Sequence, residues 1–501
     1  MIQAEFCSDA PVSHDLDSTD AAAACKIVDG HHRESGTLRG SLWEATAGQL
    51  EPSTKYTIRV MERPGVWGKE TYLLSTAPST DSVDQSFKFV FVADFGLVGR
   101  LDGLTNGTAR VLSLVERLNP LMVLIAGDLA YGDTDVRFKE DDESIDYFFE
   151  QIQPFARKTV LMPTYGNHER HQSINRWNAR FAIPPGMVEP ESGIFFSFSV
   201  GSVRFISIAS VKCHGGLRNN ALRWVRKELE AAKNDKSVKW TIPYFHVSPF
   251  ASGKSHPSNI RLRRQLLGMF HQYGVRVVLN AHDQNYERTH PVLPADTSLS
   301  NDDGAAQMYY KLPRKDNAIT ATTQQRQHQC YDSDTEGVIF VKTSPGGKLS
   351  AITKTFSWFE ADSPPPTYAA VRDDKHHHVL NVQVSEDGNS MDFECLGISD
   401  DAEHAIVIDK FHYTISKGGG GGGGGGGGET CGSRLHSVAE AEQEDRQGSN
   451  EKPLVRKDEE ITGRGSSSYS SKVAEKVEAW GSRHGILLQP FGFSVAGDPR
   501  I

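Results

Sequence analysis

The chain has 501 residues, 38% hydrophobic and 24% charged, enough for a catalytic core and at least one smaller module. Its net charge of -10 argues against a nucleic-acid-binding protein, which presents a basic face to phosphates. No apolar run approaches membrane-span length, and the opening MIQAEFCSDAPVSHD has neither the basic nor the apolar region of a secretion signal, so a soluble chain away from membranes is expected.

Residues 1–40 are polar and weakly patterned, a loose lead with room for one or two strands. Six cysteines, Cys7, Cys25, Cys213, Cys330, Cys395 and Cys431, lack C-x-x-C spacing and predict neither a zinc knuckle nor a disulfide scaffold. Over residues 41–86, apolar and polar positions alternate between turn signals, which predicts an antiparallel β module with Leu50, Tyr56, Ile58 and Val60 facing its core.

The main domain is expected over residues 87–417. FVFVADFG closes on Asp94 and Gly96, and LMVLIAGDLAYG closes on Asp128 with Tyr131 just beyond. Apolar, β-branched runs followed by glycine-containing turns read as buried parallel strands, whose carboxyl ends are where ligands gather in open α/β sheets. Val111, Leu114, Val115 and Leu118 mark a helical face between them. The acidic stretch KEDDESIDYFFEQIQPF reads as a solvated helix face. TVLMPTYGNHE delivers Asn167 and His168, IFFSFSVGSVRFISIAS predicts two paired strands, and Asn220 to Ala232 predicts a helix. KWTIPYFHVSP then delivers His246, and VRVVLNAHDQ delivers His282. GVIFVKTSPGGK and HVLNVQV read as closing strands, with His376, His377 and His378 a strand entry whose side chains are partly exposed. Asn106, Gly107 and Thr108 form a glycosylation sequon, meaningful if the chain is secreted. Eleven glycines at 418–428 form a flexible linker, and the polar tail at 429–501 is expected to be mostly disordered apart from a helical face at Ser471 to Trp480.

Asp94, Asp128 with Tyr131, GNHE at Gly166 to Glu169, FHVSP around His246 and AHDQNYER from Ala281 to Arg288 together resemble the metallophosphoesterase (calcineurin-like phosphoesterase) superfamily, and within it the purple acid phosphatases. The pairing of Gly96, where most of the superfamily has histidine, with Tyr131 is the most specific signal. The resemblance implies an α/β fold, a four-layer α-β-β-α sandwich of two mixed sheets. It also implies that residues 41–86 are part of a fibronectin type III-like module. Members are often secreted or vesicular, a location that would fit this chain if its N-terminus is incomplete.

It further implies a binuclear metal centre, Fe(III) held by Asp94, Asp128 and Tyr131, and a divalent Zn, Fe or Mn ion sharing Asp128 and adding Asn167, His246 and His282. A metal-bound hydroxide would attack a phosphate monoester in line. A ferric phenolate at Tyr131 would colour the protein. His168 is a candidate for holding a phosphate oxygen, and His256 for protonating the leaving group, with Lys254 beside it an alternative charge. One ligand departs from the family pattern: Gln284 stands where a histidine completes the ferric site, and an amide oxygen is the weaker donor. Asp283 is expected to diverge from Gln284 and not to replace it. The alternative function is a catalytically weakened relative that binds phosphate or a partner. A calcineurin-like protein phosphatase or other phosphodiesterase is disfavoured by Gly96 and Tyr131.

Overall fold

The computed structural model describes residues 2–8, 25–33, 42–139, 141–169, 174–181, 194–210, 215–253, 256–295, 310–313, 328–349, 365–398 and 405–415. The polyglycine tract at 418–428, the tail at 429–501 and Lys254 lie outside the described residues.

Five strands open the chain: β1 (Ile2–Ser8), β2 (Cys25–Arg33), β3 (Leu42–Ala45), β4 (Lys55–Arg63) and β5 (Val66–Ser75). They form one antiparallel sheet in the order β3-β2-β1-β4-β5, so the boundary expected at Ser41 falls inside a sheet to which the lead contributes two strands. Tyr56 and Ile58 are buried, while Leu50 and Val60 pack against the same cluster. Cys7 lies opposite Cys25 across β1 and β2 and is disulfide-bonded to it, and Cys330 is disulfide-bonded as well. The expectation of no disulfide framework is thereby corrected: the Cys7–Cys25 bond depends on strand register, which the spacing of cysteines in sequence does not reveal.

The main domain begins with β6 (Phe87–Val92), α1 (Thr108–Leu118), β7 (Met122–Ile125), α2 (Asp141–Ala156), β8 (Val160–Pro163) and α3 (Ile174–Arg180). It continues with β9 (Phe196–Val200), β10 (Val203–Ile208), α4 (Asn219–Asn234), β11 (Trp240–Val247), α5 (Ile260–Gln272), β12 (Val277–Ala281) and β13 (Tyr286–Thr289). The short β14 (Leu293–Pro294) and β15 (Tyr310–Lys311) pair with each other. Then come β16 (His328–Tyr331), β17 (Ile339–Thr343), β18 (Ala369–Asp373), β19 (His377–Val384), β20 (Ser390–Ile398) and β21 (Ile406–Thr414).

These strands make two mixed seven-stranded sheets, β16-β21-β20-β19-β6-β7-β8 and β18-β13-β17-β12-β11-β10-β9. Strand β6 explains the layering. Successive side chains point to opposite faces, so Phe89 and Phe91 enter the core shared with Phe205 and Tyr244 of the other sheet. Val90 and Val92 instead join the core formed with Val111 and Val115 of α1 and Phe148 and Ile152 of α2. Each fully buried phenylalanine contributes about 1.5–3 kcal/mol. On the far side, Val225 of α4 and Leu266 of α5 pack with Ile206 and Phe245, completing the α-β-β-α order. In the first sheet β6, β7 and β8 run parallel, and in the second β10, β11, β12 and β17 do. Their carboxyl ends carry the motifs singled out above.

Two local expectations change. His377 and His378 are buried, not partly exposed, because β19 lies between β20 and β6. In the acidic helix α2, Asp146 is buried and paired with Arg180 at 3.4 Å, so that helix face is not wholly solvated.

Candidate metal centre

Every predicted ligand lies in, or within a few residues of, the carboxyl end of a parallel strand, and the backbone there is unusual. Asp94 follows β6 with φ of 57°, Asp128 follows β7 with φ of 54°, Tyr131 has φ of 57°, and His282 follows β12 with φ of 75°. Left-handed conformations in residues with a Cβ cost of order 1–3 kcal/mol each and persist where the surroundings enforce them. Close approach does so here. Gly127 has φ of 83°, and at Gly166 an added Cβ would lie 2.4 Å from Asp128 Oδ1. Only glycine lets the second and third loops touch.

Four side chains meet at one point. His246 Nε2 lies 3.0 Å from Asp128 Oδ2, 2.9 Å from Asn167 Oδ1 and 3.1 Å from His282 Nδ1. Its other nitrogen, Nδ1, donates to the Ala126 carbonyl at 2.7 Å, which directs the Nε2 lone pair into the group. The nearest donor atoms of Asp128, His246 and His282 all lie within 4.8 Å of one another. Carboxylate, amide oxygen and two imidazoles converging in a buried spot form a donor set suited to zinc, iron(II) or manganese.

A second group adjoins it. The Tyr131 hydroxyl donates to Asp94 Oδ1, and Gln284 Nε2 donates to that hydroxyl at 3.1 Å. Ser344 Oγ donates to Asp94 Oδ2 at 2.5 Å, and the His282 amide points at the same oxygen from 3.4 Å. Asp94, Asp128, Tyr131, Asn167, His246, His282 and Gln284 thus border a single crevice. Asp283 points elsewhere, toward Lys342 Nζ at 2.6 Å and the Gly253 amide at 3.1 Å, and so does not replace the missing imidazole.

The electrostatics follow the packing. Burial opposes charge on Asp128, but His246 and His168 outweigh it and hold the carboxyl well below its usual range. Burial likewise opposes protonation of His246, yet Asp128 raises it to about 9. Burial, with His246 and His256, keeps His282 neutral far below the ordinary histidine value. Burial together with Asp128 and Asp94 pushes the Tyr131 phenol well up, so its ionisation calls for a cation.

His168 is partly exposed; its Nδ1 meets both oxygens of Asp133 at 2.8 Å, and its ring centroid lies 4.3 Å from that of Tyr131, the two planes tilted by 47°. Burial lowers its pKa, but Asp128 and Asp133 more than compensate and raise it. The His256 ring lies 4.2 Å from that of His282, and burial lowers its pKa.

Three supporting residues escaped the sequence reading. Glu169, quoted only as the end of GNHE, accepts from the backbone amides of Asp128, Leu129 and Gly166 at 2.8, 2.7 and 2.8 Å. Burial and Asp128 raise its pKa to about 7. Ser344 and Lys348 come from the glycine-containing turn after β17, the same strand-then-turn signal that marked the ligands.

Residues 87–286 match the family model of the calcineurin-like phosphoesterases. Purple acid phosphatase 21 of Arabidopsis thaliana is 26% identical over 261 residues, 50% of this chain and 54% of that protein. Acid phosphatase type 7 of Homo sapiens is 29% identical over 210 residues, 38% of this chain and 45% of that protein. The curated relatives are matched over 36% to 56% of their own lengths. Among solved structures, purple acid phosphatase PPD1 from yellow lupin (Lupinus luteus) seeds superposes with a TM-score of 0.57 at 15% identity, covering 83% of this chain and 70% of that one. The fold is that of the purple acid phosphatases. No helix among the described residues is long and apolar enough to cross a membrane.

Proposed function

Because residues 87–286 carry a calcineurin-like phosphoesterase domain similar to those of purple acid phosphatases, we propose that this chain is a metal-dependent phosphatase acting on phosphate monoesters. The observation that carries the proposal is the convergence of Asp128, Asn167 and His282 on the Nε2 of His246. Cations held at this crevice would supply positive charge to the phosphoryl oxygens and acidify water beside them. Asp128, Asn167, His246 and His282 form the stronger donor set; Asp94, Tyr131 and Gln284 form the weaker one.

The chain's own side chains do the rest. His168, held by Asp133 and kept readily protonated, donates to a phosphate oxygen and stabilises the charge that grows there. His256, whose ring lies 4.2 Å from that of His282, would protonate the departing alkoxide at acid pH, where its lowered pKa still leaves it charged. Glu169 ties the Asp128 loop to the GNHE loop, so that Asp128 and Asn167 move as one unit. The disulfides at Cys7–Cys25 and Cys330 support maturation in an oxidising compartment.

The test is hydrolysis of p-nitrophenyl phosphate together with metal content. Asp128→Asn and His246→Ala are expected to lose both, and full activity in either variant would end the reading. Gln284 favours a second reading, a weakened relative that retains phosphate in the crevice without turning it over. An inactive wild type that gains activity on Gln284→His would select it.

A further inference from the structure

The chain carries a cation of its own beside Asp94. Lys348 is 8% exposed, and its Nζ stands over the Tyr131 ring, 4.4 Å from the centroid. Backbone bonds fix it there: the Lys348 amide donates to the Asp94 carbonyl at 3.0 Å, and the next amide donates to the Leu104 carbonyl at 2.7 Å. The turn depends on Gly347, where an added Cβ would lie 2.3 Å from Thr108 Oγ1. The lysine stem also fills the space beside Gly96, where an added Cβ would come 2.9 Å from Lys348 Cβ. Burial lowers the Lys348 pKa, with Arg100 a like charge, and the anions Asp94, Asp128 and Asp133 offset part of this.

The two halves of the crevice therefore differ in kind. Around His246, donor atoms converge as a cation needs them. Around Asp94, hydroxyls already occupy both carboxylate oxygens, from Tyr131 and Ser344, and Gln284 donates to the Tyr131 hydroxyl. Among the described residues no imidazole completes that half: Gln284 stands where the resembled family uses histidine. We propose that Lys348 supplies, as a fixed ammonium, the positive charge that a second metal ion brings in the resembled enzymes, so that this chain retains a single cation tightly, at Asp128, Asn167, His246 and His282. A cation entering the Asp94 half would face a like charge in a poorly screened site and would have to break hydrogen bonds already made. The proposal deepens the phosphatase reading and rests on it.

The experiment is equilibrium dialysis of the full chain against Zn2+ or Mn2+, with metal per chain measured by mass spectrometry. Wild type is expected to retain one cation. Lys348→Met, checked for folding by circular dichroism, should bind a second about tenfold or more tightly than wild type does. Lys348→Arg keeps the charge and should behave as wild type, while Lys348→Met with Gln284→His should approach two cations. Two equally tight cations in wild type, or a Lys348→Met variant that is folded and unchanged, would overturn the role of the lysine and leave the phosphatase reading standing. No retained cation at all would overturn both. Two tight cations in wild type would overturn the role of the lysine even where Lys348→Met fails to fold.

Discussion

Glu169→Ala tests whether one buried carboxylate braces the crevice. Glu169 is 1% exposed and accepts from the amides of Asp128, Leu129 and Gly166. An orphaned buried donor costs about 1–3 kcal/mol, so three give about 3–9 kcal/mol, against a typical total stability of about 5–15 kcal/mol. The pH dependence has a definite sign. The folded carboxyl titrates at about 7 instead of 4.5, so between those values the unfolded chain has released a proton that the folded one still holds. Wild type therefore loses the benefit of Glu169 as pH rises, and the cost of Glu169→Ala should be about 2–3 kcal/mol smaller near pH 8 than near pH 5. Urea unfolding of chelator-treated protein, followed by tryptophan fluorescence at both pH values, measures this difference. A cost below about 1 kcal/mol near pH 5, or one that grows with pH, would refute the reasoning.

Metal affinity should depend on pH through His246: its Nε2 must lose the proton that Asp128 favours, so affinity is expected to rise about tenfold per pH unit until about pH 9, where it levels off. Chelator competition across pH checks this, and a flat profile between about pH 6 and 8 would contradict it. Deeper in the fold, Arg288 meets Asp409 at 2.6 Å with both side chains fully buried, and Tyr286 donates to the same carboxylate at 2.7 Å. Arg288→Met alone should cost about 3–5 kcal/mol by stranding a charge, and adding Asp409→Leu should recover much of it in a double-mutant cycle. Gly96→Ala should lower the melting temperature, because φ there is 64° and the new Cβ would strike Thr105 Cγ2 at 2.6 Å. An unchanged thermal scan would show that the Thr105 contact yields easily.

The family resemblance named the seven ligand candidates, and the strand-then-turn pattern located the loops that hold most of them, because the places where apolar periodicity stops are visible in a sequence. Lys342 was not visible as a partner of Asp283, since their bond crosses between β17 and the loop after β12. The same holds for Cys7 with Cys25 and for the burial of His377 and His378: each is decided by which strand lies beside which, a property of register and sheet order more than of local composition. Gly96 was legible as a missing histidine, but not as a cavity filled by a residue two hundred and more positions away. Residues 41–86 read as strands, and β3, β4 and β5 are there, yet β1, which pairs with β4, and β2, which pairs with β3, come from a stretch whose polar composition hid the alternation of Ala4 and Phe6.

The left-handed backbone at Asp94, Asp128, Tyr131 and His282 has a bearing on engineering. Glycine would relax each of the four, so a library screened only for survival of heat should drift toward glycine there and shed the side chains that hold cations. Thermal selection and metal retention pull against each other at those positions. Robustness is better sought at Gly268 in α5, where nothing lies within 4 Å of an added Cβ and alanine favours a helix by about 1 kcal/mol.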